Sequence, residues 1–266
     1  MIPKNGDDAI VLGALEKGLS FLQFEMQTPT MYGWFHLLSL SLMVALILIL
    51  IWKKPPVKRM LLIFSLIMIV LEIYKQLSFS YSGGEWSYQW YAFPFQFCSV
   101  PMYVSLIAGL TKHPRVEQYI CCFLATYGLV AGLAVMAYPV TVFIPEVLIS
   151  VQTMVHHGFM VVMGTYLLWS RTVAFTLRTL LRGLAVFASL VAIALAANVV
   201  TYHADVDDGL ELFYISPYHT SELPVFDQIY EAVPYPIFLL CYLFAFTVGG
   251  GIPLLVGRLL RKRAWQ

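Results

Sequence analysis

The residue with the clearest chemical potential is a cysteine that follows a run of aromatic residues. Cys98 lies in the segment FPFQFCSVPMY (93–103), with Gln96 two residues before it. A cysteine thiolate is a strong nucleophile, and a nearby base or cation generates it. Pro101 has no N–H, so the carbonyl of Phe97 is left free beside the thiol. These features predict a polar pocket around Cys98.

Two adjacent histidines are candidates for the base. His156 and His157 lie in an apolar stretch that also contains Gln152. Successive residues of a helix point about 100° apart, so the two rings cannot face one partner and would chelate one metal ion poorly. We expect one histidine to face the interior in a functional role and the other to be structural or interfacial. We predict no metal site and no cofactor.

Further polar side chains fall in other apolar stretches. Glu72, Lys75 and Gln76 share one helix face, where Glu72 and Lys75 can form an ion pair that is either catalytic or only self-neutralising. Asn198 can orient a partner group. A polar side chain in hydrocarbon is costly and usually faces the bundle interior. At about 1.5 Å per residue, these groups, Cys98 and the histidines lie at similar depths, in the outer half of the membrane or near its middle.

The composition is that of a membrane protein. Of the 266 residues, 60% are hydrophobic and 12% are charged, and the mean hydropathy is +0.77. An ordinary soluble domain is nearer half apolar and a quarter charged. The four cysteines form no zinc-like spacing. No tract of Lys and Arg with interleaved aromatic residues occurs, so we expect no nucleic-acid partner.

Seven apolar stretches approach the roughly 20 helical residues that cross a membrane. They lie at 33–52, 59–79, 93–110, 116–137, 147–169, 183–201 and 235–256. The loops between them alternate strictly between loops with Lys and Arg and loops with neither. Because basic loops stay in the cytoplasm, we predict an all-α polytopic membrane helical bundle with about seven transmembrane helices. Its N-terminus would lie outside the plasma membrane and its C-terminus in the cytoplasm.

The chain is predicted to have three parts. They are an N-terminal amphipathic or surface segment (1–32), the transmembrane domain (33–256) and a basic cytoplasmic tail (257–266). The external loop 202–234 is acidic, with Asp207 and Asp208 among its carboxylates, and it contains an apolar run at 210–215. This run favours a lid or a re-entrant piece over the mouth of the bundle, and a plain solvated loop is the alternative.

The segment around Cys98 resembles a motif of the YwaF-like bacterial integral membrane proteins, and VHHG resembles the His-Gly of that family. Asn198, followed by ELFYISP and VPYPIF, is similar to its closing pattern. The resemblance covers most of the chain from about His36 to Pro253. That family resembles, distantly, the animal transmembrane protein 164 family, which is associated with acyl transfer onto phospholipids through a Cys and a His. The resemblance implies that Cys98 and His157 are the catalytic pair.

One departure from the family pattern bears on this hypothesis. Gln96 stands where the family has a histidine, and an amide cannot act as a general base, which leaves that role to His157 or His156. In the enzyme hypothesis Cys98 attacks an acyl lipid while Asn198 or Gln96 polarises the acyl carbonyl. Two alternatives stay open. One is a small-molecule transporter that binds its substrate at the same polar cluster, and the other is a membrane sensor or structural protein.

Overall fold

The computed structural model describes the backbone of residues 6–205 and 210–263, and the side chains of residues 10–205 and 210–260. Outside these ranges lie Asp207 and Asp208 of the predicted acidic loop and the side chains of Arg261, Lys262 and Arg263 of the predicted basic tail. The described chain is mainly helical, as the apolar stretches predicted.

Ten α-helices follow one another along the described chain. They are α1 (Gly6–Leu22), α2 (Trp34–Lys53), α3 (Val57–Ser80), α4 (Val100–Leu110), α5 (Pro114–Phe123), α6 (Leu129–Ala137), α7 (Val147–Trp169), α8 (Leu177–His203), α9 (Phe226–Ala232) and α10 (Tyr235–Arg263). A π-helical stretch, Leu124–Gly128, joins α5 and α6 into one helix. Within the described residues six helices are long and apolar enough to cross a membrane, namely α2, α3, the joined α5–α6, α7, α8 and α10. The prediction of a polytopic α-helical membrane bundle is confirmed.

The third predicted span, 93–110, differs from the other six. Only α4 is helical, and the residues up to Ser99 form turns and irregular chain. Pro94 disfavours helical geometry at Phe93, which accounts for part of the unwound stretch. Helix α4 has 11 residues, which rise about 16 Å, roughly half of the hydrocarbon core. The third pass therefore consists of an unwound half and a helical half.

Two long-range hydrogen bonds show which helix ends lie together. The Lys58 Nζ at the start of α3 donates to the Thr111 carbonyl just after α4, at 2.8 Å. The Tyr166 hydroxyl near the end of α7 donates to the Pro55 carbonyl between α2 and α3, at 2.7 Å. The loops that carry Lys and Arg thus meet at one end of the bundle, which we call the basic face. We call the opposite end the non-basic face.

Helix α7 is central in the bundle and packs against α2, α3 and α6. Two glycines allow its close approach to the α5–α6 helix. A Cβ at Gly132 would lie 2.8 Å from the His157 carbonyl oxygen, and one at Gly164 would lie 2.8 Å from the Leu124 carbonyl oxygen. Small residues at helix contacts are typical of membrane bundles, where close van der Waals packing drives association.

The N-terminal segment lies across the non-basic face. Gln23 Nε2 donates to the carbonyls of Ser78 at 2.9 Å and Tyr81 at 2.7 Å, at the end of α3. The Trp86 indole N–H donates to the Glu16 carboxylate in α1 at 2.8 Å. Trp86 belongs to a short antiparallel hairpin of β1 (Tyr81–Ser82) and β2 (Glu85–Trp86) that follows α3. Through these contacts the N-terminal segment caps the non-basic face of the bundle.

The predicted external loop contains a buried piece of chain, residues 210–216, which we call the inserted segment. Its buried residues are Leu210, Leu212, Phe213, Ile215 and Ser216. A 3-10 turn, Leu212–Tyr214, lies at its centre and packs against α8. This part of the predicted loop is therefore buried against the bundle rather than solvated, and the choice between a lid and a re-entrant piece stays a prediction.

Two helix boundaries lie well beyond the predicted spans, whereas the others, apart from the start of α4, lie within a few residues of them. Helix α8 begins at Leu177 rather than 183, and α10 continues to Arg263, past the predicted start of the tail at 257. Apolar length marks only the part of a helix that lies in hydrocarbon, whereas backbone hydrogen bonding continues into the interface. Most of the predicted basic tail is thus an extension of the last helix.

Candidate functional site

A buried ion pair lies where α3 meets α7. Lys75 Nζ is 2.7 Å from Glu72 Oε1, and the two side chains are 15% and 5% exposed. Gln76 donates to Glu72 Oε1 at 2.9 Å, and Gln152 of α7 donates to Glu72 Oε2 at 3.4 Å. Both carboxylate oxygens therefore have partners, as a buried charge requires. The predicted pair is present, and Gln152 joins it from a second helix.

Cys98 lies in the unwound half of the third pass, two residues before α4. Its carbonyl is 2.9 Å from Nε2 of His156. Because a carbonyl can only accept, Nε2 carries the hydrogen and the neutral ring has its lone pair on Nδ1. Among the described side chains, this Nδ1 is one of the few buried polar atoms with no hydrogen-bond partner. The protonated Nε2 therefore binds the Cys98 backbone, and the same ring has a free Nδ1 that can accept a proton.

The second histidine makes a different contact. His157 is buried, and its Nδ1 is 2.8 Å from the Thr153 carbonyl of the preceding turn of α7. The centroids of the two imidazole rings are 6.0 Å apart. The rings diverge as their adjacent positions predicted, and the structure places His156, rather than His157, against Cys98. The assignment of His157 as the catalytic histidine stays a prediction.

Two amide side chains hold the inserted segment. Asn198 Nδ2 donates to the Leu212 carbonyl at 3.0 Å, and Asn198 Oδ1 accepts from the Leu212 N–H at 2.9 Å. Gln96 Nε2 donates to the Glu211 carbonyl at 2.9 Å, and its Oε1 accepts from the Phe213 N–H at 3.1 Å. The backbone of three consecutive residues, Glu211 to Phe213, is therefore hydrogen-bonded to these two amide side chains. These bonds give both amides a positioning role, and polarisation of an acyl carbonyl by either one stays a prediction.

Tyrosines of the last helix complete the support of this segment. The Tyr242 hydroxyl donates to the Phe213 carbonyl at 3.1 Å, and the Tyr235 hydroxyl donates to the Ile215 carbonyl at 2.5 Å. Phe213 and Tyr214 have positive φ angles of 61° and 57°, which non-glycine residues adopt only when their surroundings hold them there. Sequence reasoning missed both tyrosines of α10. Hydroxyl groups in an otherwise apolar span were the available signal, since a buried Tyr O–H needs an acceptor.

A cleft of about 220 Å³ lies beside this polar region. It lies between α3 and the chain that leads through Cys98 into α4. Its walls include Glu72 and Gln76 together with Pro94, Met102 and Tyr103. Pro94 precedes Cys98 in the sequence, and Met102 and Tyr103 follow it.

The structure thus brings together residues from three separate parts of the sequence. Glu72, Lys75 and Gln152 form one group, and His156, one turn of α7 after Gln152, contacts the Cys98 carbonyl. Within the described part of the chain, no three His, Cys, Asp or Glu side chains converge as metal ligands would. The site therefore contains a thiol, an imidazole and a buried ammonium group.

Comparison with known proteins identifies the family of the chain. No curated protein and no solved structure matches the chain. The family model of the TMEM164 family matches residues 31–252, which is most of the chain and includes every residue of the site. This membrane protein therefore belongs to the TMEM164 family.

Proposed function

We propose that this protein transfers acyl chains between membrane lipids through a thioester on Cys98, with His156 as the base. The observation that carries the proposal is the His156 ring, which contacts the Cys98 carbonyl at 2.9 Å while its buried Nδ1 has no partner. An unsatisfied buried nitrogen needs an explanation, and accepting a proton during catalysis is one that also accounts for its position.

The buried ion pair would support this chemistry by its charge. Lys75 is the cation of this polar region, and a cation near a cysteine favours the thiolate. Glu72 holds the Lys75 ammonium at 2.7 Å and is itself held by Gln76 and Gln152. We assign Lys75 the role of stabilising the thiolate and Glu72 the role of positioning Lys75.

The proposed reaction has two balanced halves. The Cys98 sulfur attacks the carbonyl carbon of a phospholipid ester, and the thiol proton passes to His156. The ester C–O bond breaks, the leaving lysophospholipid oxygen takes that proton, and a thioester remains on Cys98. A hydroxyl group of a second lipid then attacks the thioester carbon and gives its proton to His156. The sulfur leaves and recovers this proton, so the enzyme returns to its starting state.

Membrane lipids are the proposed substrates because of where the cleft opens. Its walls combine apolar side chains with Glu72 and Gln76, and Ile73 on the same wall is 55% exposed at the membrane-facing surface. An acyl chain can lie along such a wall with its ester near the polar end. With basic loops in the cytoplasm, the unwound stretch would lie in the outer half of the plasma membrane.

Acyl trapping on the full-length protein tests the proposal. The protein in lipid nanodiscs is incubated with a phospholipid that carries an alkyne-tagged acyl chain, and hydroxylamine-sensitive labelling is quantified. We expect labelling to disappear with Cys98→Ala and to fall at least about tenfold with His156→Gln, as for loss of a general base. Cys241→Ala is the matched control, since Cys241 is a half-buried free cysteine of α10 outside the site, and its labelling should equal that of the wild type.

Other outcomes would change the assignment. Labelling that survives Cys98→Ala, or that is absent from well-folded wild type across several acyl donors, would refute the thioester mechanism and favour transport or sensing. Labelling that falls with His157→Gln but not with His156→Gln would move the base to His157. Thermal unfolding of each variant separates loss of chemistry from loss of folding.

A further inference from the structure

A second cavity lies at the basic face, at the opposite end of the bundle from the unwound stretch. It has a volume of about 360 Å³ and lies between the end of α2 and the start of α3. Leu50, Met60 and Phe64 line it with buried apolar side chains, and three basic residues surround its opening. The floor is firmly packed, since the Phe64 ring stacks on Phe159 with 4.2 Å between centroids.

Within the described part of the chain, the three cations at this opening have no carboxylate partner. The loop contains four basic residues, and one of them, Lys58, points to α5, where its Nζ is 3.1 Å from Glu117 Oε2. Lys53, Lys54 and Arg59 form no ion pair with any side chain that the structure describes. All three line the cavity. Unneutralised cations that converge on one opening favour an anionic ligand.

The backbone at the same place also favours an anion. Helix α3 begins at Val57, so its first N–H groups have no partner within the helix and point toward the basic face. The positive end of the 24-residue helix dipole lies there as well. Pro55 and Pro56 restrict the connecting turn, and the Tyr166 hydroxyl holds the Pro55 carbonyl at 2.7 Å. The site is therefore largely formed before a ligand arrives.

The apolar surface below the opening identifies the kind of anion. Ile63 lines the cavity and is 45% exposed. Leu66, Ile67 and Val70 continue from it at i+3, i+4 and i+7 and are exposed as well. They form one apolar stripe along α3 that runs from the cavity into the membrane. A free phosphate would leave this stripe unused, whereas a phospholipid would cover it with an acyl chain.

We propose that this cavity binds an anionic phospholipid of the leaflet at the basic face. The phosphate lies between Lys53, Lys54, Arg59 and the start of α3, and one acyl chain follows the apolar stripe from Ile63. Cationic pockets at the ends of membrane helices bind anionic head groups in this way. The site is separate from Cys98 and does not depend on the proposed acyl transfer.

The test compares lipid binding between two variants with the same change in charge. The full-length protein in detergent is titrated with dioleoylphosphatidylglycerol, and retained lipid is counted by native mass spectrometry. A variant with Lys53→Gln, Lys54→Gln and Arg59→Gln should bind at least about tenfold more weakly than wild type, since each cation near an anionic head group contributes to affinity.

The matched control removes three exposed cations elsewhere on the basic face, with the substitutions Lys112→Gln, Arg115→Gln and Arg178→Gln. It should bind within about twofold of wild type if the cavity, rather than total charge, holds the lipid. Equal losses in both triple variants, or no loss in the first, would overturn the proposal. Thermal unfolding without added lipid should be the same for wild type and both variants.

Two further arms identify the ligand. Dioleoylphosphatidylcholine should bind more weakly than the anionic lipid, and inorganic phosphate should neither stabilise the protein nor compete at millimolar concentration. Ile63→Trp, which fills the cavity without a change in charge, should weaken phosphatidylglycerol binding. Phosphate binding as tight as lipid binding would refute a lipid site, and so would an Ile63→Trp variant with wild-type affinity.

Discussion

Replacing Asn198 with alanine should release the inserted segment from α8. The Asn198 amide makes two hydrogen bonds with the Leu212 backbone, at 3.0 and 2.9 Å, and Leu212 is fully buried. Alanine would leave the buried Leu212 N–H without a partner, and the Leu212 carbonyl would keep only its longer bond from the Ile215 N–H, at 3.4 Å. An orphaned buried group costs roughly 1–3 kcal/mol, so we expect the free energy of unfolding to fall by about 1–3 kcal/mol.

Equilibrium unfolding in mixed detergent micelles measures this change. Asn198→Asp tests the geometry, because a carboxylate can still accept from the Leu212 N–H but repels the Leu212 carbonyl, so it should not restore stability. Ser189→Ala is the control on the same helix. Ser189 is exposed and its hydroxyl bonds only to Ala185 of its own helix, so the change should stay under about 0.5 kcal/mol.

A double variant tests whether the two amides act on one unit. Gln96 bonds to Glu211 and Phe213, on either side of the residue that Asn198 holds. Once one amide is lost and the segment has moved, losing the other should cost less, so the combined effect should be smaller than the sum. An Asn198→Ala effect no larger than that of Ser189→Ala would refute the holding role, and additive effects would refute a single unit.

Two predictions concern the packing of charge and backbone around α7. Glu72→Gln leaves the Lys75 ammonium without its carboxylate, which should lower the free energy of unfolding by about 3–5 kcal/mol. The double variant Glu72→Gln with Lys75→Met should recover most of that loss in the same unfolding assay, and a failure to recover would contradict the pairing. Gly132→Ala would place its Cβ 2.8 Å from the His157 carbonyl oxygen and should destabilise by about 1–3 kcal/mol. Thermal unfolding checks this against Gly18→Ala, where nothing lies within 4 Å of the new Cβ and no loss is expected.

The spans and the ion pair could be predicted because their signals are local. Apolar length and the placement of Lys and Arg located six complete helices. The i, i+3 spacing of Glu72 and Lys75 fixes their common face whatever the rest of the bundle does. The unwound half of the third pass was harder to predict, because a short apolar run has the same composition whether it is helical or extended. Pro94 was the only local sign that we can connect with it.

The choice between the two histidines depends on more than spacing. Their positions require the rings to diverge, but the rotation of α7 decides which ring meets Cys98. Close packing of α7 on the α5–α6 helix at Gly132 and Gly164 helps to set this rotation. Such packing depends on which helices become neighbours, and periodicity within one helix carries no information about it.

The roles of the amides depended on an insertion that hydropathy does not reveal. Gln96 and Asn198 were expected to face a substrate, whereas in the structure they bond to the backbone of the inserted segment. Non-helical chain at membrane depth needs partners for its N–H and C=O groups. The sequence was compatible with a lid, a re-entrant piece or a solvated loop in this region. Only a lid or a re-entrant piece needs side chains that hydrogen-bond its backbone.

The inserted segment has a consequence for how the chain is made. Gln96 and Phe213 are 117 positions apart, and Tyr242 on α10 must also arrive before the Phe213 carbonyl has its partner. A chain enters the membrane from its N-terminus onward. After α4, the unwound stretch with Cys98 therefore remains incomplete while three more long helices (the joined α5–α6, α7 and α8) are made, until the inserted segment follows. Biosynthesis stalled before α10 would leave a polar gap in the half-built bundle, and the last helix acts as the closing step of assembly.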